Sequence, residues 1–144
     1  MDPTIWGPKA WFFLHSITFA HPDKPTDQEQ LNMYNFFIAL QHVLPCEWCK
    51  QHYKEILQRQ KKTLRIAVKN KDSLIEWLFN VHNEVNTNTG KESYSKKDFL
   101  NFYKVNYGLE KTFTQKYFNT ILLALFLIAM FVAFKVFSIL NQPV

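Results

Sequence analysis

An all-helical fold is expected, with five helices followed by one apolar helix near the C-terminal end. Three observations predict it. Apolar residues recur at spacings of three and four, and no segment shows the period-two alternation of a half-buried strand. Sequences that cap helix N-termini stand between the apolar segments. Only 3 glycines occur in 144 residues, too few for a turn-dense β fold or a glycine-rich phosphate loop.

Each element can be justified in turn. Pro8 stands where a first helical turn tolerates proline. Trp11, Leu14, His15 and Thr18 then repeat at helical spacing until His21-Pro22 closes the element. Thr26-Asp27-Gln28-Glu29 fits the capping box, in which hydroxyl and carboxylate satisfy orphan backbone N–H groups; it opens a helix over 27–44 that Pro45 ends. A third helix starts at Pro45-Cys46 and runs to about Gln60. Ser73-Leu74-Ile75-Glu76 repeats the box and opens a helix over 74–87. Ser95-Lys96-Lys97-Asp98 is a weaker version that opens one over 96–107.

The last segment differs in kind. Residues 117–134 are uncharged and 121–134 contain no polar residue. As a helix, 117–134 spans roughly 27 Å, close to the thickness of a bilayer's hydrocarbon core. Lys116 and Tyr117 suit one interface, and Lys135 can snorkel at the other, which extends the span to about 117–140. A buried core helix of this length would carry an exposed polar face, and none is present. The expectation is a domain over 1–112 and a membrane-anchoring tail over 113–144. Lysine lies at both ends, so the positive-inside rule barely discriminates. The opening Met-Asp-Pro-Thr has no basic or long apolar leader, so the domain is expected to face the cytosol.

Composition narrows the function classes. With 47% hydrophobic and 17% aromatic residues the chain is not intrinsically disordered. The net charge is +5, but the only arginines are Arg59 and Arg65. A lysine-dominated excess fits a diffuse basic surface or an anionic cofactor better than base reading. Lys61-Lys62, Lys69, Lys71 and Lys96-Lys97 read as solvated helix ends, so no nucleic-acid partner is expected.

Three constellations carry chemistry. The 2 cysteines, Cys46 and Cys49, form one C-x-x-C at an expected helix start, which leaves none for a structural disulfide elsewhere. A thiolate there is stabilised by the helix dipole and by free N–H groups. Two other readings stay open: structural thiols, or a zinc site in which His52 and either His42 or His82 complete the ligands. The second constellation is His82-Asn83-Glu84-Val85-Asn86 with Lys91 beyond. His82 and Asn86 share a helix face, and the set suits a ligand with a purine edge, a ribose and a pyrophosphate, or else an ordinary core histidine with capping asparagines. The third is Trp6-Gly7-Pro8-Lys9-Ala10-Trp11 with His15, either plain aromatic core or a wall for a flat ring.

In this order, W-G-P-K-A-W-F-F-L-H, H-P-D-K-P-T, P-C-E-W-C and W-L-F-N-V-H-N-E-V-N-T-N-T-G-K resemble the Erv/ALR family of FAD-linked sulfhydryl oxidases. The resemblance covers Trp6 to Tyr103. It implies a four-helix bundle with a short fifth helix, FAD held beside the C-x-x-C, and a homodimer. Carried over residue by residue, it implies FAD contacts from Gly7, Lys9, Trp11 and His15, and from Trp77, Asn80, His82, Asn83, Val85, Asn86 and Lys91, with Tyr103 near the adenine end. Two positions depart from the family pattern: Thr89 stands where leucine is usual, and Glu92 where proline is usual.

The activity so implied is oxidation of protein dithiols by the Cys46–Cys49 pair, with O₂ as final acceptor and hydrogen peroxide as product. The chain has no second, shuttle C-x-x-C, so clients deliver dithiols directly or through a separate relay redox protein. In this it resembles the minimal members found in large DNA viruses, which implies a viral membrane or virion setting. The competing expectation is a tail-anchored helical adaptor without enzymatic activity, its C-x-x-C structural or zinc-binding.

Overall fold

The structure is a computed structural model that describes residues 1–108 and the helix over 113–140, with side chains described for 1–108 and 117–137. Among the described residues there are six helices and no strand: α1 (Pro3–Ala20), α2 (Asp27–Val43), α3 (Glu47–Ala67), α4 (Lys71–Asn88), α5 (Lys96–Asn106) and α6 (Phe113–Leu140).

The start of α2 matches the expected capping box. The Thr26 hydroxyl accepts from the Glu29 N–H at 3.3 Å, and the Glu29 carboxylate accepts from the Thr26 N–H at 2.7 Å. The other expected starts shift where a stronger cap lies upstream. Asp2 caps α1 by accepting from the Thr4 N–H at 2.8 Å, with Pro3 in the first helical position, so Pro8 lies inside the helix rather than in its first turn. Asn70 caps α4 by accepting from the Ser73 N–H at 3.2 Å, so the Ser73-x-x-Glu76 sequence is first-turn helix and not the box. Helix α3 runs on past Gln60 to Ala67 because its buried stripe continues through Leu64 and Ala67. Ser95 caps α5 as expected, accepting from the Asp98 N–H at 3.1 Å.

The chain divides into two compact units, Met1–Tyr94 and Ser95–Val144. In the first, α1 packs on α4, α4 on α3 and α3 on α2. Cross-links fix the directions. His15 meets His82, and His21 Nε2 lies 2.8 Å from the Val68 carbonyl oxygen, so α1 and α4 are antiparallel. His52 meets Asn88 and Gln60 meets Glu84, so α3 and α4 are antiparallel. Tyr53 donates to the Phe37 carbonyl at 3.0 Å, and the Arg65 guanidinium lies over the Tyr34 ring at 4.6 Å, so α2 and α3 are antiparallel too. The result is an up-down-up-down four-helix bundle around Phe37, Ile56, Leu64, Leu74, Leu78 and Val81, all fully buried.

This topology brings four termini to one end: the start of α1, the end of α2, the start of α3 and the end of α4. The C-x-x-C and the His82–Asn86 face therefore share an end of the bundle although about one helix-pair of sequence separates them.

In the second unit, the rings of Phe99, Phe102, Tyr103 and Tyr107 pack along α5, with Tyr103 5.0 Å from Phe99 and 5.2 Å from Phe102. Within α6, Tyr117–Phe137 has a mean hydropathy of 2.6, is long and apolar enough to cross a membrane, and has every side chain exposed.

Candidate active site

Cys46 and Cys49 are joined as a disulfide, with Cα atoms 5.1 Å apart. Cys46 is the N-cap of α3: its Sγ accepts from the Cys49 N–H at 3.2 Å. Both residues are half-buried. The helix start, with its first-turn N–H groups and positive dipole end, favours negative charge at this position. Among the described residues, no three His, Cys, Asp or Glu side chains converge to hold a metal ion.

Beside this end stands an aromatic cluster on α1 and α4. Trp11 and His82 stack with ring centroids 4.0 Å apart and planes 10° from parallel. His15, fully buried one turn after Trp11, places Nε2 3.1 Å from His82 Nδ1. Tyr94 meets the edge of His82 at 5.5 Å. Asn83 commits both halves of its amide to Tyr94, donating to its carbonyl at 3.0 Å and accepting from its N–H at 2.8 Å. The chain reverses at Gly90, whose φ of 70° lies in the left-handed region. The Lys91 N–H then donates to the Asn86 carbonyl at 2.8 Å.

The structure thus brings Gly7, Trp11 and His15 onto one face of α1, and His82, Val85 and Asn86 onto the facing side of α4. Val85 packs against the core and Asn86 is buried. Lys9 and Asn80 are exposed, each about half a helical turn away from its cluster. Trp77 is buried against Phe37, rings 5.0 Å apart. Tyr103 belongs to the second unit. Reasoning from sequence missed Tyr94 as a site residue, because loop chemistry after Gly90 and not helical spacing brings it back. It also missed the pairing of His52 with Asn88, at 3.0 Å.

The residues fit a flat, anionic dinucleotide. A Cβ built on Gly7 meets nothing within 4 Å, so space is open beside the Trp11 face. The indole N–H groups of Trp6 and Trp77 are buried donors without a hydrogen-bond partner among the described residues. Lys91 supplies a cation close enough to act on His82.

Burial, and secondarily the neighbouring His82, lowers the pKa of His15 to about 3; burial, and secondarily Lys91, lowers that of His82 to about 4. Both imidazoles are neutral at physiological pH. The unfolded chain, with imidazoles near pKa ~6.5, binds more protons than the folded one below that pH. The stability these neutral rings allow is complete above pH ~6.5 and is lost as pH falls toward about 4, by up to ~1.4 kcal/mol per pH unit for each ring. The urea midpoint, followed by tryptophan fluorescence, is expected to drop steadily from pH ~6.5 to ~5; a flat profile would contradict a buried neutral pair.

An antiparallel helical bundle with a redox-capable disulfide at a helix start, and an aromatic, cation-edged face at the same end, defines a small helical redox domain. Comparison with known proteins makes the class particular. The Erv1/Alr family model matches residues 8–108, and the chain belongs to that family. It is 32% identical over 116 residues to the probable FAD-linked sulfhydryl oxidase of Acanthamoeba polyphaga mimivirus, covering 81% of this chain and 76% of that protein. It is 28% identical over 88 residues to the mitochondrial FAD-linked sulfhydryl oxidase ERV1 of Saccharomyces cerevisiae, covering 61% of this chain but only 44% of the yeast protein. The solved FAD binding domain of Erv1 from Saccharomyces cerevisiae superposes with a TM-score of 0.62 at 28% identity, covering 72% of this chain and 91% of that one.

Proposed function

We propose that this chain is an FAD-dependent sulfhydryl oxidase that makes disulfide bonds in protein dithiols. The observation that carries the proposal is the Cys46–Cys49 disulfide capping α3 at the same end of the bundle as the Trp11–His82 stack. A client thiolate attacks Cys46 Sγ; the Cys46–Cys49 bond breaks and its electron pair leaves on Cys49. The α3 N-terminus lowers the energy of that thiolate. A second client thiolate attacks the client sulfur of the mixed disulfide, releasing oxidised client and a Cys46 thiolate. The client loses two electrons and two protons, and the pair at 46 and 49 gains the electrons.

Trp11 and His82 would offer ring faces to FAD, Gly7 the space for it, Trp6 and Trp77 N–H donors, and Lys91 a positive charge. FAD, when bound, supplies a two-electron acceptor that O₂ reoxidises with release of hydrogen peroxide. The neutral His15–His82 pair holds the Trp11 face in place without adding a buried charge. The family match runs to residue 108, which supports 1–112 as one functional domain that includes α5 and Tyr103.

The same proposal includes α6 as a membrane anchor, for which its length and apolar character speak, with the redox domain facing the cytosol. The mimivirus relative supports a viral setting. The family resemblance supports a second copy of the chain as partner. Clients bring their dithiols directly or through a relay protein.

The full chain purified in detergent is expected to be yellow, to release about one flavin per chain on denaturation, and to consume O₂ with dithiothreitol. A colourless, inactive preparation would return the chain to the adaptor class.

A further inference from the structure

Trp48 stands between the two redox cysteines, and no step described above uses it. It is 57% exposed, an unusual place for an indole. The ring does not swing free: its centroid lies 4.8 Å from that of His52, and His52 Nε2 lies 3.0 Å from Asn88 Nδ2, so α4 props it from behind. Before the disulfide in sequence, Val43 ends α2 and is 67% exposed. The nearby carboxylate of Glu47 is paired with Lys50 at 3.1 Å, which leaves little uncompensated charge. The disulfide is thus flanked in sequence by two exposed apolar side chains, one of them an indole held against His52.

The chemistry says what covers them. A client sulfur bonded to Cys46 holds the client Cα within roughly 4.4–6.8 Å of the Cys46 Cα. The residues flanking the client cysteine then have to pass over the start of α3 and the end of α2. Rigid, exposed aromatic residues are the usual anchors of such contacts.

We propose that Trp48, together with the exposed Val43 at the end of α2, is a docking platform for a large apolar side chain within one or two residues of the client cysteine. Clients carrying such a residue are oxidised in preference to clients with a polar one. The proposal rests on the oxidase reading of Cys46–Cys49 and adds the class of substrate. The thiol–disulfide exchange is the one written above: the bond from client sulfur to Cys46 forms, the bond from Cys46 to Cys49 breaks, and the electron pair stays on Cys49.

The test uses the full chain in detergent, oxygen consumption, and three substrates: dithiothreitol and two dithiol peptides identical except for leucine or serine beside the first cysteine. The leucine peptide is expected to have a kcat/KM about tenfold higher, expressed chiefly in KM. Trp48→Ala is expected to erase that preference, and Trp48→Phe to keep most of it. If dithiothreitol itself is not oxidised, the oxidase reading fails. If dithiothreitol is oxidised and the native chain turns over both peptides alike, the docking proposal is overturned, whether or not the alanine variant folds. A preference that survives in a folded Trp48→Ala chain overturns it as well.

Discussion

Cys49→Ser is expected to lower dithiothreitol oxidation by at least about a hundredfold while the chain stays folded and keeps its flavin. Serine is close in size to cysteine, and position 49 lies in the first turn of α3, where its N–H still donates to the Cys46 sulfur. The change removes one sulfur and little else. Without it, a client attacking Cys46 has no disulfide to break, and no electron pair can be handed on. The measurement is oxygen uptake on flavin-replete protein, with bound flavin as the control for folding. Undiminished turnover would show that electrons enter by another route, and the role given to the C-x-x-C would be wrong.

Phe37→Ala is expected to cost about 3–5 kcal/mol of stability, the usual range for emptying a closed aromatic site. Phe37 has 0% exposure. Its ring meets Trp77 of α4 edge-on at 5.0 Å and Phe36 at 5.2 Å, while its carbonyl accepts from the Tyr53 hydroxyl of α3 at 3.0 Å. One residue of α2 therefore touches two other helices. Burial also pushes the Tyr53 phenol up, so that it stays protonated and remains a donor. Against a typical total stability of about 5–15 kcal/mol, the loss is a large fraction. Chemical denaturation checks it. A cost below ~1 kcal/mol would mean that α2 closes over the gap, and that the bundle is looser than its burial indicates.

Much of this was legible before any coordinates. The capping box at Thr26 and the serine at 95 placed two helix starts, because a cap is a local hydrogen-bonding arrangement written in adjacent residues. The starts of α1 and α4 lie upstream of the residues that signal them in sequence: Asp2 and Asn70 are the caps, whereas Pro8 and the Ser73-Leu74-Ile75-Glu76 box point to later starts. The continuation of α3 past Gln60, about two turns, is obscured by Lys61-Lys62, which interrupt composition but not the buried stripe through Leu64. At the site, spacing of four identified the Trp11–His15 and His82–Asn86 faces. It could not show that the first meets the second, since that contact depends on α1 and α4 running antiparallel. Nor could it find Tyr94, which a glycine-dependent reversal and a single asparagine amide return to His82. The FAD contacts of Asn80 and Lys9 follow from the family resemblance alone; both residues are exposed, about half a helical turn from the faces that meet.

In the proposed cycle the sulfur of residue 46 would have two jobs at once: exchanging bonds with clients, and closing the first turn of the helix behind it, as it does in the disulfide. Sulfur has acceptor capacity for that amide proton in each of three states: bonded to Cys49, bonded to a client, or negatively charged. A turnover cycle can therefore pass through all three chemical states without unwinding the scaffold at the point of attack.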